Sequence, residues 1–257
     1  AFSGIYGLTA DKLSASLVLR KLFKEKEKRP HHPHSSPIKI GLKKAKFKKG
    51  LVSPQKGLGH LMQALTKYLE DSGQVEFLWN TPFEFKKNEF RAEANVPPLP
   101  PPPVVVLATS AQDAAALVCQ VDPELGSKLR SIEMLSLASA TLIYDKPQTE
   151  VQGFGCLFPP KEHFHTAGVL FNSYIFSHRQ TPYSETWILS GDFCHKPNDE
   201  ILKLILEDRQ RVIKNVGSSN DHQPKYFSIT KWPEALPTYN IQLETILSQL
   251  PRLGNSL

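Results

Sequence analysis

The chain has 257 residues, of which 40% are hydrophobic and 22% are charged, a balance typical of globular proteins. It contains no run of about eighteen apolar residues, which excludes a membrane-spanning helix. Its three cysteines, Cys119, Cys156 and Cys194, are too widely spaced for a disulfide framework. The net charge of +6 is uneven: twelve Lys/Arg and two acidic residues between Arg20 and Lys49 carry +10, so the remainder carries −4.

The basic segment that ends at Lys49 has two interpretations. It could face nucleic acid or an anionic lipid surface, because lysine and arginine are attracted to phosphate groups. It could also be a solvated helix face followed by a lysine-rich loop. The second interpretation is favoured, since no aromatic stacking platform is interleaved with the lysines. We therefore expect no nucleic-acid partner, and peripheral membrane contact stays open as an alternative.

The predicted elements mix helices and strands along the chain. Leucines at helical spacing predict a first helix over 11–27, which ends at a proline- and histidine-rich loop at 31–37. Further helices are predicted over 57–71, 111–119, 199–216 and 240–250, and strands over 75–79, 83–85, 89–93, 104–108, 131–145, 155–158, 167–176, 185–191 and 226–232. The apolar run at 104–108 is typical of a buried parallel strand. The proline run at 97–103 predicts a stiff hairpin loop, with docking of a proline-recognition domain as the alternative.

This order of elements predicts an α/β fold with an α+β insertion, not a bundle or a sandwich. The string Gly57-Leu58-Gly59 lacks the third glycine of the dinucleotide-binding fingerprint, since Met62 stands in its place. We interpret this string as the start of a helix. The sequence also lacks P-loop, GxSxG and HExxH motifs, and its cysteines and histidines lack the spacing of metal ligands, so we predict no metal site.

Six strings, spread along nearly the whole chain, carry a resemblance to a known family. They lie at 4–14, 56–65, 105–109, 153–159, 168–176 and 232–239, and the last three read GFGCLFP, GVLFNSYIF and WPEALPTY. In this order they resemble protoporphyrinogen oxidase, a family of the flavin amine oxidase superfamily that oxidises a porphyrinogen with FAD. The chain departs from the family strings at Lys56, Ser110 and Thr238.

The resemblance implies FAD as the cofactor and assigns four residues to places near it. These residues are Phe83, Ala108, Thr109 and Trp232. For the two aromatic side chains, packing in the core is the alternative. The glycine loop that holds the FAD pyrophosphate in the family has no counterpart in this sequence, so we expect the chain not to retain FAD by itself.

The resemblance also assigns three leucines to the substrate pocket. These are Leu157, Leu170 and Leu189, and apolar side chains of this kind suit a flat macrocycle. The alternative is that each is an ordinary inward-facing strand residue. No residue is assigned a catalytic role.

The implied activity is oxidation of protoporphyrinogen IX or coproporphyrinogen III to the porphyrin in haem biosynthesis, by hydride transfer to the flavin. Because the FAD anchor is missing, we expect the chain to be an inactive fragment from the middle of a two-domain enzyme. The alternatives are another flavin enzyme of the amine oxidase or carotene desaturase type, and a non-catalytic remnant.

The resemblance further implies a domain division and a location. It predicts a basic helical segment at 1–50, part of an FAD-binding domain at 51–116, a substrate-binding α+β domain at 117–239 and a return to the FAD-binding domain at 240–257. We expect an intracellular protein, cytoplasmic or peripheral on a membrane through the helix at 11–27, with porphyrinogen as partner. The sequence leaves the oligomeric state open.

Overall fold

The computed structural model describes residues 6, 8–19, 53–81, 83–86, 89–92, 105–146, 152–175, 178, 181–215 and 223–253. Chain contacts divide the protein into two compact units, Leu19–Trp79 and Ala1–Val18 with Asn80–Leu257. The helices are α1 (Ala15–Val18), α2 (Leu58–Asp71), α3 (Ala111–Val118), α4 (Pro123–Arg130), α5 (Asn172–Ile175), α6 (Asn198–Asn215) and α7 (Ile241–Leu253). The strands are β1 (Phe83–Lys86), β2 (Glu89–Ala92), β3 (Met134–Tyr144), β4 (Gly155–Leu157), β5 (Thr166–Leu170), β6 (Tyr183–Ser190) and β7 (Tyr226–Pro237).

Helix α2 belongs to the smaller unit and confirms the helix predicted over 57–71. It begins directly after Gly57. The strand predicted over 75–79 is wrong, because residues 75–78 have no strand pairing and Phe77 stacks on Trp79 with 5.0 Å between the ring centroids. A strand needs a neighbour for its backbone hydrogen bonds, and the described residues of this unit offer none.

The larger unit is built on a five-stranded sheet in the order β4-β5-β6-β3-β7. Every neighbouring pair in this sheet is antiparallel. The long central strand β3 pairs with β6 on one side and with β7 on the other. Alternate residues of each strand face opposite sides of the sheet. Among the described residues, one of these sides carries the core.

The buried side of the sheet packs against helix α6. Side chains from β3 and β6 alternate between buried and half-buried, which is the pattern of a sheet with one covered face. Burial of each large apolar side chain in this layer contributes about 1.5–3 kcal/mol. The central members of this core are Ala138, Ala140, Leu142, Tyr144, Val169, Tyr183, Trp187, Leu189, Ile201 and Ile205.

A second, smaller core lies at the start of β3. Ile132 packs there with Leu243 and Ile246 of helix α7. Helix α4 lies just before Ile132 in the chain and was not predicted from the sequence. Its N-terminus is capped by the carboxylate of Asp122, which accepts a hydrogen bond from the backbone N–H of Leu125. Pro123 occupies the first turn of the helix.

The buried parallel strand predicted over 104–108 is wrong. Residues 105–108 have no strand pairing, and Val106 is 82% exposed. An apolar run becomes a parallel strand only when parallel neighbours flank it, and all pairings among the described residues are antiparallel. The apolar run alone carried no information about its neighbours.

Two other elements are shorter than predicted. The strand predicted over 167–176 ends at Leu170 and is followed by helix α5. Within the described part of the predicted 11–27 helix, a 3-10 turn at Ala10–Lys12 is separated from α1 by Leu13, whose backbone is extended. The remainder of that helix, the lysines at 39–49 and the proline run at 97–103 lie outside the described residues.

The predicted fold class is confirmed as mixed α/β with an antiparallel five-stranded sheet. The remaining predicted helices and strands are confirmed within about three residues at each end. The exception is β7, which continues past its predicted end at residue 232 to Pro237. No helix in the described part of the chain is long and apolar enough to cross a membrane. The domain boundaries at 50, 116 and 239 stay a prediction.

Candidate functional site

The candidate site lies on the side of the five-stranded sheet that faces away from the core, which we call the open face. The strand register places its members in rows across the sheet. One row runs from Leu157 through Gly168, Ile188 and Ser139 to Thr230. The next row joins Gly155, Leu170, Thr186, Thr141 and Ser228, and a third joins Ser190, Leu137 and Trp232.

An open, mainly apolar groove of about 380 Å³ occupies the β4–β5–β6 part of the open face. Leu157 is 50% exposed and Leu170 is 37% exposed, so both present apolar surface to a ligand. Ile188 and the exposed ring of Phe154 line the groove with them. An open groove with apolar walls suits a large flat molecule better than a small polar one.

Two glycines make the floor of this groove flat. Gly155 has φ +150°, and a Cβ atom built on it would lie 2.1 Å from the carbonyl oxygen of Val169. A Cβ atom on Gly168 would lie 2.7 Å from the carbonyl oxygen of Cys156. Neither position accepts a side chain without a backbone shift, so the floor between the side chains that line the groove stays flat.

Polar side chains border the groove where β6 meets β3. The Nδ2 atom of Asn172 donates to the Thr186 hydroxyl at 2.8 Å, and the Thr186 and Thr141 hydroxyl oxygens lie 3.4 Å apart. On the far side of β3, the Trp232 indole N–H donates to Ser139 Oγ at 3.3 Å. The open face therefore combines an apolar half with a hydrogen-bonding half.

The structure brings three of the predicted site residues onto the same face of the sheet. Leu157 and Leu170 line the groove, and Trp232, which is 51% exposed, stands on the same face two strands beyond Ile188. Leu189 lies on the opposite face, fully buried in the core. Ile188 occupies the groove in its place. Both are apolar neighbours in one strand, so the sequence could separate them only through the strand register.

The other predicted site residues lie outside the five-stranded sheet. Phe83 belongs to β1, which pairs with β2 in a separate two-stranded sheet and sets Phe83 opposite Ala92. Ala108 and Thr109 precede helix α3, where the Ser110 side chain accepts a hydrogen bond from the backbone N–H of Asp113. Their predicted places beside a cofactor stay predictions.

The described residues do not form the site that FAD requires for its pyrophosphate. That site needs a strand, a glycine-rich loop and a helix N-terminus whose backbone N–H groups face the phosphates. Helix α2 is preceded by a single glycine, Gly57, and residues 53–57 before it contain no strand. Helix α3 has a serine cap and no glycine loop.

Electrostatics on the core side of the groove disfavour a reactive thiol. Cys156 is half-buried behind the groove, and burial together with the nearby Glu185 carboxylate raises the pKa of its thiol above the ordinary value. The thiol therefore stays protonated at neutral pH and is a poor nucleophile. The groove can bind and orient a ligand, but among the described residues it contains no titratable group suited to acid–base chemistry.

A larger groove of about 710 Å³ lies at one end of the sheet, where β3 begins and β6 ends. Lys12, Asp192 and His195 line it together with His165, which lies 3.6 Å from Glu207. No predicted site residue lines it. Among the described residues no group of three or more histidine, cysteine or acidic side chains could hold a metal ion.

Sequence comparison identifies protoporphyrinogen oxidases among the relatives. The chain is 26% identical over 132 residues to protoporphyrinogen oxidase 2, chloroplastic/mitochondrial, from Arabidopsis thaliana, and 24% identical over 132 residues to the mitochondrial protoporphyrinogen oxidase of Nicotiana tabacum. Each match covers 48% of this chain and 25% of the relative. The matched part of the chain thus spans about a quarter of the length of each relative. No family model matches the chain.

Structural comparison agrees with the sequence comparison. The crystal structure of a provisionally assigned protoporphyrinogen oxidase from Exiguobacterium sp. 255-15 superimposes with a TM-score of 0.61 and 17% sequence identity. The match covers 78% of this chain and 45% of that one, and at this identity it establishes the fold. The predicted resemblance to protoporphyrinogen oxidase is therefore confirmed, as similarity over part of the relatives' length.

Proposed function

We propose that the open face seats the porphyrinogen in an FAD-dependent oxidation to porphyrin, as in haem biosynthesis. The observation that carries the proposal is the convergence of Leu157, Leu170 and Trp232 on one exposed face of the sheet. The named relatives are oxidases of protoporphyrinogen, which supports an oxidoreductase family for this chain. The candidate substrates are protoporphyrinogen IX and coproporphyrinogen III, which are both tetrapyrroles.

The chain's own residues contribute binding and orientation. Apolar side chains on either side of the flat glycine floor cover one face of the macrocycle, and each Å² of apolar surface removed from water contributes about 25 cal/mol. Contact with the sheet also removes water from that side of the ring. The oxidation needs an electron acceptor, and the described residues contribute no site that would hold the pyrophosphate of FAD.

The proposal is tested by titrating the chain with protoporphyrin IX, the oxidised and fluorescent form of the macrocycle. Replacement of Leu157 or Leu170 by serine should raise the Kd about fivefold, because each half-exposed leucine contributes about 1 kcal/mol of apolar contact. The matched control is Leu61→Ser on helix α2, a leucine with the same 50% exposure as Leu157 but in the other unit. Equal weakening by the control, or no binding by the unaltered chain, would contradict the proposal.

A further inference from the structure

The hydrogen-bonded side chains beside the groove hold two donors that have no acceptor among the described residues. Asn172 and Thr186 are joined by one hydrogen bond, and Thr186 and Thr141 by a second. The three side chains supply two amide N–H and two hydroxyl O–H donors. Two of these four are used in the two bonds, so one amide N–H and one hydroxyl hydrogen remain.

The remaining donors stand next to the apolar groove. Thr186 pairs directly with Leu170 across β5 and β6, and Asn172 follows Leu170 by two residues, just beyond the end of β5. Neighbouring strands lie about 4.8 Å apart, so these polar groups are within one strand spacing of the groove wall. A ligand that rests on the leucines can therefore reach them with a short side chain.

Among the described strand positions that surround these donors on the open face, none carries a charge that would repel an anion. The paired open-face positions of β3, Leu137, Ser139, Thr141 and Ile143, are all uncharged. Their partners in β6 and β7 are serine, threonine, isoleucine, tyrosine and tryptophan. The acidic Glu185 of β6 faces the core.

We propose that Asn172, Thr186 and Thr141 form a carboxylate-binding site that fixes one acidic side chain of the macrocycle while its ring lies on Leu157, Leu170 and Ile188. Two neutral donors match the two oxygens of a carboxylate, and hydrogen bonds to an ionised acceptor are stronger than those between neutral groups. The site would select amphipathic tetrapyrroles that carry free acids and would fix their orientation on the sheet. This inference rests on the proposed function.

The test compares protoporphyrin IX with its dimethyl ester, which keeps the ring but has no free carboxylate. The unaltered chain should bind the diacid about tenfold more tightly than the ester, a factor in keeping with hydrogen bonds to a charged acceptor. Thr186→Val removes the hydroxyl while keeping the shape of the side chain, and it should abolish most of this preference. Asn172→Ala should do the same, and the affinity for the ester should not change in either variant.

Thr230→Val is the matched control, because Thr230 lies on the open face of β7 outside this hydrogen-bonded group. It should leave the preference for the diacid intact. The inference is overturned if the unaltered chain binds both porphyrins with equal affinity. It is also overturned if Thr186→Val weakens the binding of the diacid and of the ester by the same factor. Either result leaves the proposed function standing. Failure of the unaltered chain to bind either porphyrin removes the proposed function, and this inference with it. Circular dichroism of each variant verifies that it is folded.

Discussion

Glu185 and Arg209 form an ion pair inside the hydrophobic core, directly beneath the open face. The Nε atom of Arg209 lies 3.1 Å from the Glu185 carboxylate, and the two side chains are 2% and 1% exposed. The Trp187 indole N–H donates to the same carboxylate at 3.0 Å, and the guanidinium lies 4.6 Å from the centre of the Tyr144 ring. Charges removed from water in this way need each other as partners, because neither can be solvated when the other is lost.

Arg209→Met should therefore destabilise the chain by about 3–5 kcal/mol, since it leaves the Glu185 carboxylate buried without its cation. Urea denaturation measures this change in the free energy of unfolding. The matched control is Lys128→Met, which breaks the exposed pair with Glu124 at 2.8 Å and should cost about 0.5 kcal/mol or less. A loss at Arg209 no larger than that at Lys128 would show that the core pair is not desolvated.

At the scale of elements, the segment at residues 14–18 is held to helix α7 by the carboxylate of Glu244. Glu244 accepts hydrogen bonds from the hydroxyls of Ser14, at 2.5 Å, and Ser16. The backbone N–H of Ser14 also donates to the carbonyl oxygen of Tyr239, at 2.7 Å. The hydrogen bonds from Ser14 and Ser16 hold the pKa of Glu244 below its ordinary value.

This lowered pKa predicts a pH-dependent attachment of the segment. A carboxyl group whose pKa is depressed by folding stabilises the folded state above its unfolded pKa, and this contribution is lost as the pH falls through the folded pKa. Hydrogen exchange of residues 14–18 should accordingly quicken as the pH drops below the ordinary pKa of a glutamate, after correction for the intrinsic exchange rate. Glu244→Gln should remove this pH dependence. Unchanged pH dependence in that variant would refute the role of Glu244.

Much of the element pattern could be predicted because it depends on local periodicity. The leucine spacing of α2 and the length of β3 both follow from the sequence. The errors fell where the outcome depends on distant partners. Residues 75–79 and 105–108 are apolar or β-prone, but they have no strand to pair with among the described residues. Helix α4 was missed because its signal is an aspartate and a proline at its start, with only a short apolar stripe.

At the scale of the whole molecule, the site residues separate into those that share the open face and those that do not. Leu157, Leu170 and Trp232 share it, whereas Leu189 faces the core. The resemblance could assign these residues to a pocket one by one, but it could not show which neighbours complete it. Asn172 and Thr186 were not predicted, since nothing in a lone asparagine or threonine indicates that their side chains meet.

Purified chain should contain much less than one FAD per molecule, even after incubation with excess FAD and gel filtration. The physical reason is the lack, among the described residues, of a glycine loop at a helix N-terminus, without which the remaining contacts must order a large ligand with little binding energy. The visible absorbance of the protein peak, and the flavin fluorescence of its supernatant after denaturation, measure the content. One FAD per chain after gel filtration would contradict this expectation.

The sequence by itself determined the mixture of helices and strands and the similarity to protoporphyrinogen oxidases, because periodicity and short strings are local properties of the chain. Only the tertiary structure decided that Ile188, not Leu189, faces the groove, and that Asn172 joins Thr186 and Thr141. The reason is strand register: a shift of one residue moves every side chain to the other face of a sheet, and register is set by contacts between strands far apart in the chain.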